Sequence, residues 1–259
     1  MASYLMLHGQ RFSVTAFSAA TGIVNAADSQ HETRLFYLEK GFAVVEDERG
    51  YWTVSPGEMA WLPPYLHYDV GEYGNVAGWS MSLSPLLCNG TPEWPCALQP
   101  SGFVPLVLER TVHWQQDGID GVYQPLSARQ ERLLQVFLDE LNASIPVPGR
   151  LTLPKDKRLN FMARQLLARP GERKNLEDWV ESTRMSSRSI SRHFSRETGM
   201  SFAQWRQGAS LLIARKWLAQ GKSVQAVSKG VGYENVSTFI ASFKKAFGRT
   251  PAQFRQLFL

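Results

Sequence analysis

Short apolar runs dominate the first part of the chain and predict β-strands. The runs are rich in aromatic and β-branched residues and occupy residues 35–38, 42–45, 51–54, 59–62 and 76–83. Turn signals separate them, with Asp-Glu-Arg-Gly at 47–50 and Ser-Pro-Gly-Glu at 55–58. Closely spaced short strands with Gly and Pro turns are typical of a β-sandwich or β-barrel. Residues 84–105 have no clear period, and no element is predicted there.

The pattern then changes from strand to helix. Leu134, Phe137, Leu138 and Leu141 recur at i, i+3, i+4 and i+7, which predicts an amphipathic helix over residues 127–141. Such a helix can pack on the β-domain or pair with a second subunit, and the pattern does not separate these two roles. Proline and glycine residues follow directly, so residues 146–158 are predicted to be a linker between two domains, 1–145 and 159–259.

The second domain is predicted to be all helical. Periodic apolar positions and flanking caps place helices at residues 159–167, 176–183, 187–198, 202–219, 224–229 and 236–247, and from Thr250 to the C-terminus. Ser186 is a predicted N-cap, and Gly199, Gly221 and Gly248 follow predicted helix ends. The predicted fold class is therefore multi-domain α and β, with an N-terminal β-barrel and a C-terminal all-α domain.

Charge divides the chain at the same boundary. The formal net charge of +5 resolves into −8 for residues 1–150 and +13 for residues 151–259. A strongly basic helical domain joined to an acidic one favours nucleic-acid binding by the basic part, although a solvated basic surface is the plain alternative. Two cysteines are too few for a disulfide framework or a zinc site, and no apolar run or signal peptide indicates a membrane. These observations predict a cytoplasmic protein.

The basic domain contains an internal repeat. His193–Gly199 aligns with Ser242–Gly248, and Ala-Gln-Trp-Arg-Gln at 203–207 aligns with Ala-Gln-Phe-Arg-Gln at 252–256, both at an offset of 49 residues. Each repeat is a short helix, a tight turn and a second helix, which is a helix-turn-helix. A generic helical bundle is the alternative, but tight turns at 183–185 and 230–233 occupy matching places.

These motifs resemble the AraC/XylS family of bacterial transcription regulators. The resemblance rests on Met185-Ser186, Phe194, Glu197-Thr198-Gly199, Ser201-Phe202, Gly232-Tyr233, Phe239, Phe243-Lys244-Lys245, Gly248, Thr250-Pro251 and Arg255. The run from Trp52 to Gly57, and Trp61-Leu62-Pro63-Pro64 with His67, resemble the cupin-type sensor domain of such regulators. Together with residues 153–159, this resemblance points to a short-sensor branch that includes regulators of efflux transporters.

The resemblance implies which side chains contact DNA. The family's base-contacting positions fall on Arg188, Ser191 and Arg192 in the first repeat, and Ser237, Ile240 and Ala241 are the predicted base contacts of the second. Arginine binds guanine O6 and N7 bidentately, whereas Ile240 and Ala241 offer apolar contact to thymine methyls. The predicted phosphate contacts are Ser195, Arg196, Lys244, Lys245, Arg249 and Thr250. Phosphate contact alone is the alternative role for the arginines.

The acidic domain carries a weaker chemical signal. Cupin enzymes hold a metal with a His-x-His pair and a distant histidine, but the matching positions here are Asp28 and Gln30, with only His67 in place. No metal, cofactor or catalytic residue is therefore predicted. The candidate ligand-binding residues are His31, Trp52, Trp61, His67 and Trp79. A place in the barrel core is the alternative for the tryptophans, and a hydrogen-bonded structural role is the alternative for His67.

The sequence thus predicts a transcription regulator that is not an enzyme. Its expected partners are double-stranded DNA, a small-molecule effector, RNA polymerase and, through residues 127–141, a second copy of the chain. A metal-dependent cupin enzyme with an auxiliary DNA-binding domain, and a nucleoid protein without an effector, are the alternatives. Bound metal in the purified protein would favour the cupin enzyme. Equal affinity for random DNA and for the protein's own upstream region would favour the nucleoid protein.

Overall fold

The computed structural model describes residues 5–7, 10–19, 23, 31–116, 126–147, 149–172 and 174–258. The chain forms two compact units. The first contains Met1–Val45 and Trp52–Gly149, and the second contains Glu46–Tyr51 and Arg150–Leu259. A short segment from early in the chain therefore folds with the C-terminal unit.

An antiparallel sheet forms the larger part of the first unit. Its strands are β1 (Leu5–Leu7), β2 (Gln10–Ser18), β3 (Thr33–Asp47), β4 (Gly50–Val54), β5 (Met59–Leu62), β6 (Tyr68–Leu83), β7 (Cys96–Gln99) and β8 (Ile145–Pro146). The strand order is β1-β2-β6-β3-β5-β7-β8, with β4 paired to β3. The predicted turn at 47–50 joins β3 to β4 as a hairpin.

Alternating side chains give this sheet two apolar faces. Leu35, Met59 and Trp61 lie in one buried cluster, while their neighbours Phe36 and Ala60 lie in the other. Successive residues of a strand point to opposite faces, so nearly continuous apolar runs bury both sides. Two helices, α1 (Phe103–Gln116) and α2 (Ala128–Asn142), pack their apolar residues into the first cluster.

Gly41 allows even-numbered residues before it and odd-numbered residues after it to face the same side of β3. Phe36 and Leu38 precede it, Ala43 and Val45 follow it, and all four belong to the same cluster. The change from even to odd positions requires one extra residue, which Gly41 supplies at a φ of +85°. A Cβ at this position would lie 2.6 Å from Val76 Cα. The two predicted strands at 35–38 and 42–45 are thus one bulged strand.

The second unit contains a short strand and seven α-helices among its described residues. They are β9 (Leu151–Thr152), α3 (Lys157–Ala168), α4 (Val180–Thr183), α5 (Ser187–Thr198), α6 (Phe202–Ala219), α7 (Val224–Gly230), α8 (Val236–Phe247) and α9 (Pro251–Gln256). A 3-10 turn at Glu177–Trp179 precedes α4, where one helix was predicted. The bounds of α5, α6 and α8 are those that the sequence predicts.

The main departures from the sequence prediction lie around the domain boundary. Strand β7 lies within residues 84–105, where no element is predicted, and α1 begins in that stretch and continues to Gln116; β7 is only four residues long, and α1 carries Pro105 in its first turn. Part of the predicted linker is ordered as strand: β8 pairs with β7, and β9 pairs with Gly50 and Tyr51. No described helix is long and apolar enough to cross a membrane.

Candidate nucleic-acid interface

The first helix-turn-helix consists of α4, a three-residue turn and α5. Arg184 makes the turn in the left-handed conformation, with a φ of +52°. The Ser186 side chain then accepts a hydrogen bond from the Ser189 backbone N–H and caps the first turn of α5. At the other end Gly199 closes the helix at a φ of +73°. These caps fix both ends of α5 and hence the direction of its side chains.

One side of α5 is anchored in the core of the unit. Ile190 and Phe194 are fully buried, and the Phe194 ring packs edge-on against Trp205 at 5.3 Å between ring centroids. The Trp205 indole N–H donates to the Thr152 backbone carbonyl at 2.6 Å, so this aromatic cluster also holds β9. The orientation of α5 is therefore set by packing rather than by its exposed residues.

The opposite side of α5 presents the predicted base contacts to solvent. Arg188 and Arg192 are exposed, and Ser191 lies beside them half-buried. Neither arginine takes part in any ion pair found among the described residues. Each guanidinium is a fork of N–H donors without an acceptor, which matches the acceptor pair O6 and N7 of guanine. The predicted phosphate contacts Ser195 and Arg196 continue the same surface toward the helix end.

The second helix-turn-helix consists of α7, a turn and α8. Gly232 makes the turn at a φ of +89°, and the Asn235 side chain caps α8 by accepting from the Ser237 backbone N–H at 2.7 Å. Phe239 and Phe243 are fully buried, so α8 is anchored in the same way as α5.

The outer surface of α8 differs in chemistry from that of α5. Ser237 and Ala241 are exposed and Ile240 is half-buried, so the positions predicted to touch bases carry one hydroxyl and two apolar side chains. Cationic side chains follow toward the C-terminal end, where Lys244, Lys245 and Arg249 are all exposed.

The structure confirms the repeat, position by position. Residues 187–198 of α5 and 236–247 of α8 have the same length at the 49-residue offset, and Gly199 and Gly248 share a φ of +73°. Each repeat then begins a further helix with a capping box, Ser201 with Gln204 and Thr250 with Gln253. Arg188 and Arg192 therefore correspond to Ser237 and Ala241.

The helix α6 holds the two repeats together. It contacts α5 of the first repeat, α7 and α9 of the second, and α3 ahead of the first. The predicted apolar stripe, Trp205, Ala209, Leu212, Ile213 and Trp217, is largely buried, but Ser210, Leu211, Ala214, Arg215 and Leu218 are buried as well. A helix packed between two neighbours is covered on more than one side, which a single-stripe prediction does not capture.

Sequence reasoning missed two residues that shape this surface. Arg184 is exposed in the turn ahead of α5, and only its left-handed backbone places it there. Glu197, near the end of α5, accepts hydrogen bonds from the backbone N–H groups of Lys155 and Asp156 at 2.8 and 2.9 Å. The carboxylate thereby fixes the chain entering α3. Neither role leaves a periodic signal in the sequence.

The structure does not bring the five candidate ligand-binding residues of the first unit together. Trp52 and Trp61 are both buried, but they lie in the clusters on opposite faces of the sheet. The Trp79 indole donates to Glu39 at 2.9 Å. His67 is exposed, and His31 packs edge-on against Tyr65.

The described residues contain no group of three or more His, Cys, Asp or Glu side chains arranged to hold a metal. Asp28 and Gln30 lie outside the described residues.

The chain is similar to known proteins both in its helix-turn-helix region and over most of its length. Residues 179–257 match a family described as a helix-turn-helix domain. The HTH-type transcriptional regulator NimR of Escherichia coli K12 is 28% identical over 93% of this chain and 87% of its own length. RipA of Corynebacterium glutamicum, also an HTH-type transcriptional regulator, is 30% identical over 42% of this chain and 32% of its own.

Solved structures give a broad resemblance. ToxT from Vibrio cholerae O395 aligns over 95% of this chain and 98% of its own, with 10% identity and a TM-score of 0.40. The C-terminal domain of AraT, a response regulator from Geobacillus stearothermophilus, is 27% identical over 37% of this chain and 82% of its own, with a TM-score of 0.34.

Proposed function

We propose that this protein, a DNA-binding transcription regulator of the AraC type, binds one asymmetric DNA site in which α5 reads base edges and α8 mainly holds the backbone. A single observation carries the proposal. Arg188 and Arg192 are exposed on α5, whereas the matching positions of α8 hold Ser237 and Ala241. The two repeats have the same backbone conformation but different exposed side chains, so their contributions to DNA binding are unequal.

The base contacts of α5 supply sequence preference. Each bidentate arginine–guanine pair contributes about 1–3 kcal/mol of discrimination against a wrong base. Ser191 lies between the two arginines on the same surface and is the third base contact.

The contacts of α8 supply affinity and register. Lys244, Lys245, Arg249 and the hydroxyl of Thr250 contact phosphates, as Ser195 and Arg196 do on α5, and each neutralised phosphate makes binding more sensitive to salt. Ile240 and Ala241 make apolar contact with thymine methyls, and Ser237 hydrogen-bonds a base edge. Specificity at this half of the site is therefore weaker.

The length of α6 sets the spacing of the two half-sites. Its 18 residues span about 27 Å at 1.5 Å per residue, and it packs against both repeats. Recognition helices held in this way enter successive major grooves, about 34 Å apart. One chain thus reads both halves of a site that has no two-fold symmetry.

The first unit regulates this binding in response to a small molecule. A sensor domain beside a DNA-binding domain has this role in the short-sensor regulators that the sequence resembles, and it requires neither a metal nor catalysis. The regulator acts in the cytoplasm, contacts RNA polymerase at the promoter, and dimerises through α2 where two sites are occupied.

Footprinting on the region upstream of the protein's own gene tests the proposal. We expect one protected stretch covering two successive major grooves, with guanines protected in only one of them. A random duplex of the same length and base composition is the matched control and should bind at least 1,000-fold more weakly, the lower bound for specific sites. Equal affinity for the two duplexes would contradict sequence-specific recognition.

A further inference from the structure

The outer surface of the α1–α2 pair contains a cleft whose chemistry differs from the rest of the acidic unit. Its volume is about 480 Å³, within the range of small-molecule sites. Three arginines line it, Arg110 from α1 and Arg129 and Arg132 from α2. The unit, residues 1–45 and 52–149, carries six basic residues against thirteen acidic ones, so three cations at one cleft are a strong local concentration.

Every polar side chain lining the described part of this cleft is a hydrogen-bond donor. Arginine has no acceptor atom, and Gln130, the fourth polar residue, has its side-chain oxygen occupied. That oxygen accepts from the Ser127 backbone N–H and from the Ser127 hydroxyl, both at 2.8 Å. The Gln130 side chain therefore offers a ligand only its amide N–H groups. No carboxylate is among the described lining residues, so the described part of the cleft matches a group that is negatively charged and only accepts hydrogen bonds.

Apolar side chains form the remaining wall. Trp114 and Leu133 line the cleft and also pack against the buried cluster beneath α1 and α2, which fixes their positions. Val136 is 46% exposed on the same wall. A bare inorganic anion gains nothing from this wall, whereas an organic anion buries its apolar part there.

We infer that the cleft between α1 and α2 binds an organic anion in which a carboxylate, or a similar acidic group, is joined to an apolar ring or chain. The acidic group is held by Arg129 and Arg132 with Arg110, and the apolar part lies against Trp114 and Leu133. This site rests on the proposed function, because it gives the place and the chemical class of the small molecule that the first unit binds, and its occupation is measured without DNA.

A second copy of the chain fits this surface less well than a small anion. In a two-fold interface centred on the cleft the same patch faces itself, so Arg129 and Arg132 of one protomer would approach those of the other. The positive charges of these arginines would repel one another across the interface. Dimerisation through α2 is therefore expected to place the two clefts away from the two-fold axis.

Titration calorimetry with the full-length protein tests the site with a charge series. The probes are 4-phenylbutyrate, 4-phenyl-1-butanol and 4-phenylbutylammonium, which share one apolar part and differ in charge, together with inorganic phosphate. We expect saturable one-to-one binding of 4-phenylbutyrate, at least tenfold tighter than of either the alcohol or phosphate, and no binding of the ammonium compound. Equal binding of alcohol and acid, or of phosphate and acid, would overturn the assignment.

Variants locate the binding. Arg129→Ala and Arg132→Ala should each weaken 4-phenylbutyrate binding about twofold to fivefold, as expected for exposed ion pairs, and the double variant about tenfold. Alanine is favoured in helices, so folding should be retained and is checked by circular dichroism.

Val136→Asp, at an exposed wall position, should abolish binding of the acid. Arg169→Ala removes an exposed arginine of the second unit and is the matched control. Equal weakening by Arg169→Ala and Arg132→Ala would refute the site.

Discussion

Arg150 donates hydrogen bonds from one guanidinium nitrogen to both carboxylate oxygens of Asp47, at 2.6 and 2.8 Å, although 103 residues separate them in the chain. Both belong to the C-terminal unit. The Asp47 side chain is only 3% exposed and also accepts from the Arg49 backbone N–H. Nearby, Arg164 of α3 pairs with Glu46 at 2.8 Å. The tip of the β3–β4 hairpin is thus an integral part of the second unit.

Asp47→Asn should therefore destabilise the second unit. The substitution removes the carboxylate charge that pairs with Arg150 in a mostly buried contact. We expect the free energy of unfolding to fall by about 2 kcal/mol. Chemical denaturation followed by circular dichroism measures the loss. Glu48→Gln, at the exposed neighbouring position of the same turn, is the matched control and should change the free energy of unfolding by less than about 0.5 kcal/mol. Equal stabilities of the two variants would show that the ion pair contributes nothing.

Arg192→Ala and Lys245→Ala should separate base reading from backbone binding, since each removes one positive charge. For Arg192→Ala we expect relaxed preference at one base pair, equivalent to about 1–3 kcal/mol of lost discrimination. For Lys245→Ala we expect uniform weakening on all duplexes and a salt slope shallower by about 1. Binding to a panel of single-base operator variants at several salt concentrations measures both. A preserved base preference in Arg192→Ala would reassign Arg192 to phosphate, and Lys40→Ala, in the other unit, controls for general charge loss.

Ala241→Arg should strengthen DNA binding. Position 241 corresponds to Arg192 through the repeat and is exposed, so the longer side chain has room in the free protein. We expect higher affinity and a steeper salt dependence, because a cation is added near the phosphates. Gel-shift titration on the footprinted duplex measures the change. A loss of affinity would show that the DNA surface is closed at this position.

Gly41→Ala should be markedly more destabilising than Gly57→Ala. Both glycines have positive φ values, +85° and +87°, which cost an L-residue about 1 kcal/mol. Only at Gly41 would the new Cβ meet backbone, 2.6 Å from Val76 Cα, whereas nothing lies within 4 Å at Gly57. We expect a cost of about 1 kcal/mol for Gly57→Ala and about 3 kcal/mol or more for Gly41→Ala, measured by thermal unfolding. Similar losses would show that β3 moves to accommodate the Cβ.

Asp156 should give the second unit an acid-sensitive contribution. It caps α3, and the side-chain hydrogen bonds from Arg158 are the largest cause of a pKa lowered to about 2. Because the folded pKa lies below the unfolded value near 3.8, this stabilisation is complete above about pH 4 and is lost as the pH falls toward 2. Asn caps equally well without titrating. Asp156→Asn should therefore be less stable than wild type at pH 7 but approach it at pH 2.5 in urea denaturation. A constant difference across this range would contradict the assignment.

Local signals predicted the DNA-binding unit closely. Caps, the 3.6-residue period and the offset of 49 residues placed α5, α6 and α8 at their observed bounds, because helix ends are encoded by nearby residues such as Ser186 and Gly199. The exposed positions of α5 followed from the same period. Which of them contact bases stays a prediction, since it rests on the family resemblance.

Local signals did not predict the elements of the first unit that form by pairing between residues far apart in the chain. The residues of β7 are extended because they pair with β5 on one side and β8 on the other, and four residues alone carry no usable period. Trp52 and Trp61 looked equivalent in sequence, but the register of their strands places them on opposite faces of the sheet.

The sequence by itself determined a helix-turn-helix repeat, its caps and the unequal chemistry of its two recognition helices, because a helix records its buried face in the spacing of neighbouring residues. Only the tertiary structure decided that Glu46–Tyr51 folds with the second unit, that β3 is one bulged strand, and that Arg110, Arg129 and Arg132 line one cleft. Each of these depends on contacts between residues far apart in the chain. Such contacts do not produce a periodic pattern in the sequence of either segment, so the sequence alone does not predict them.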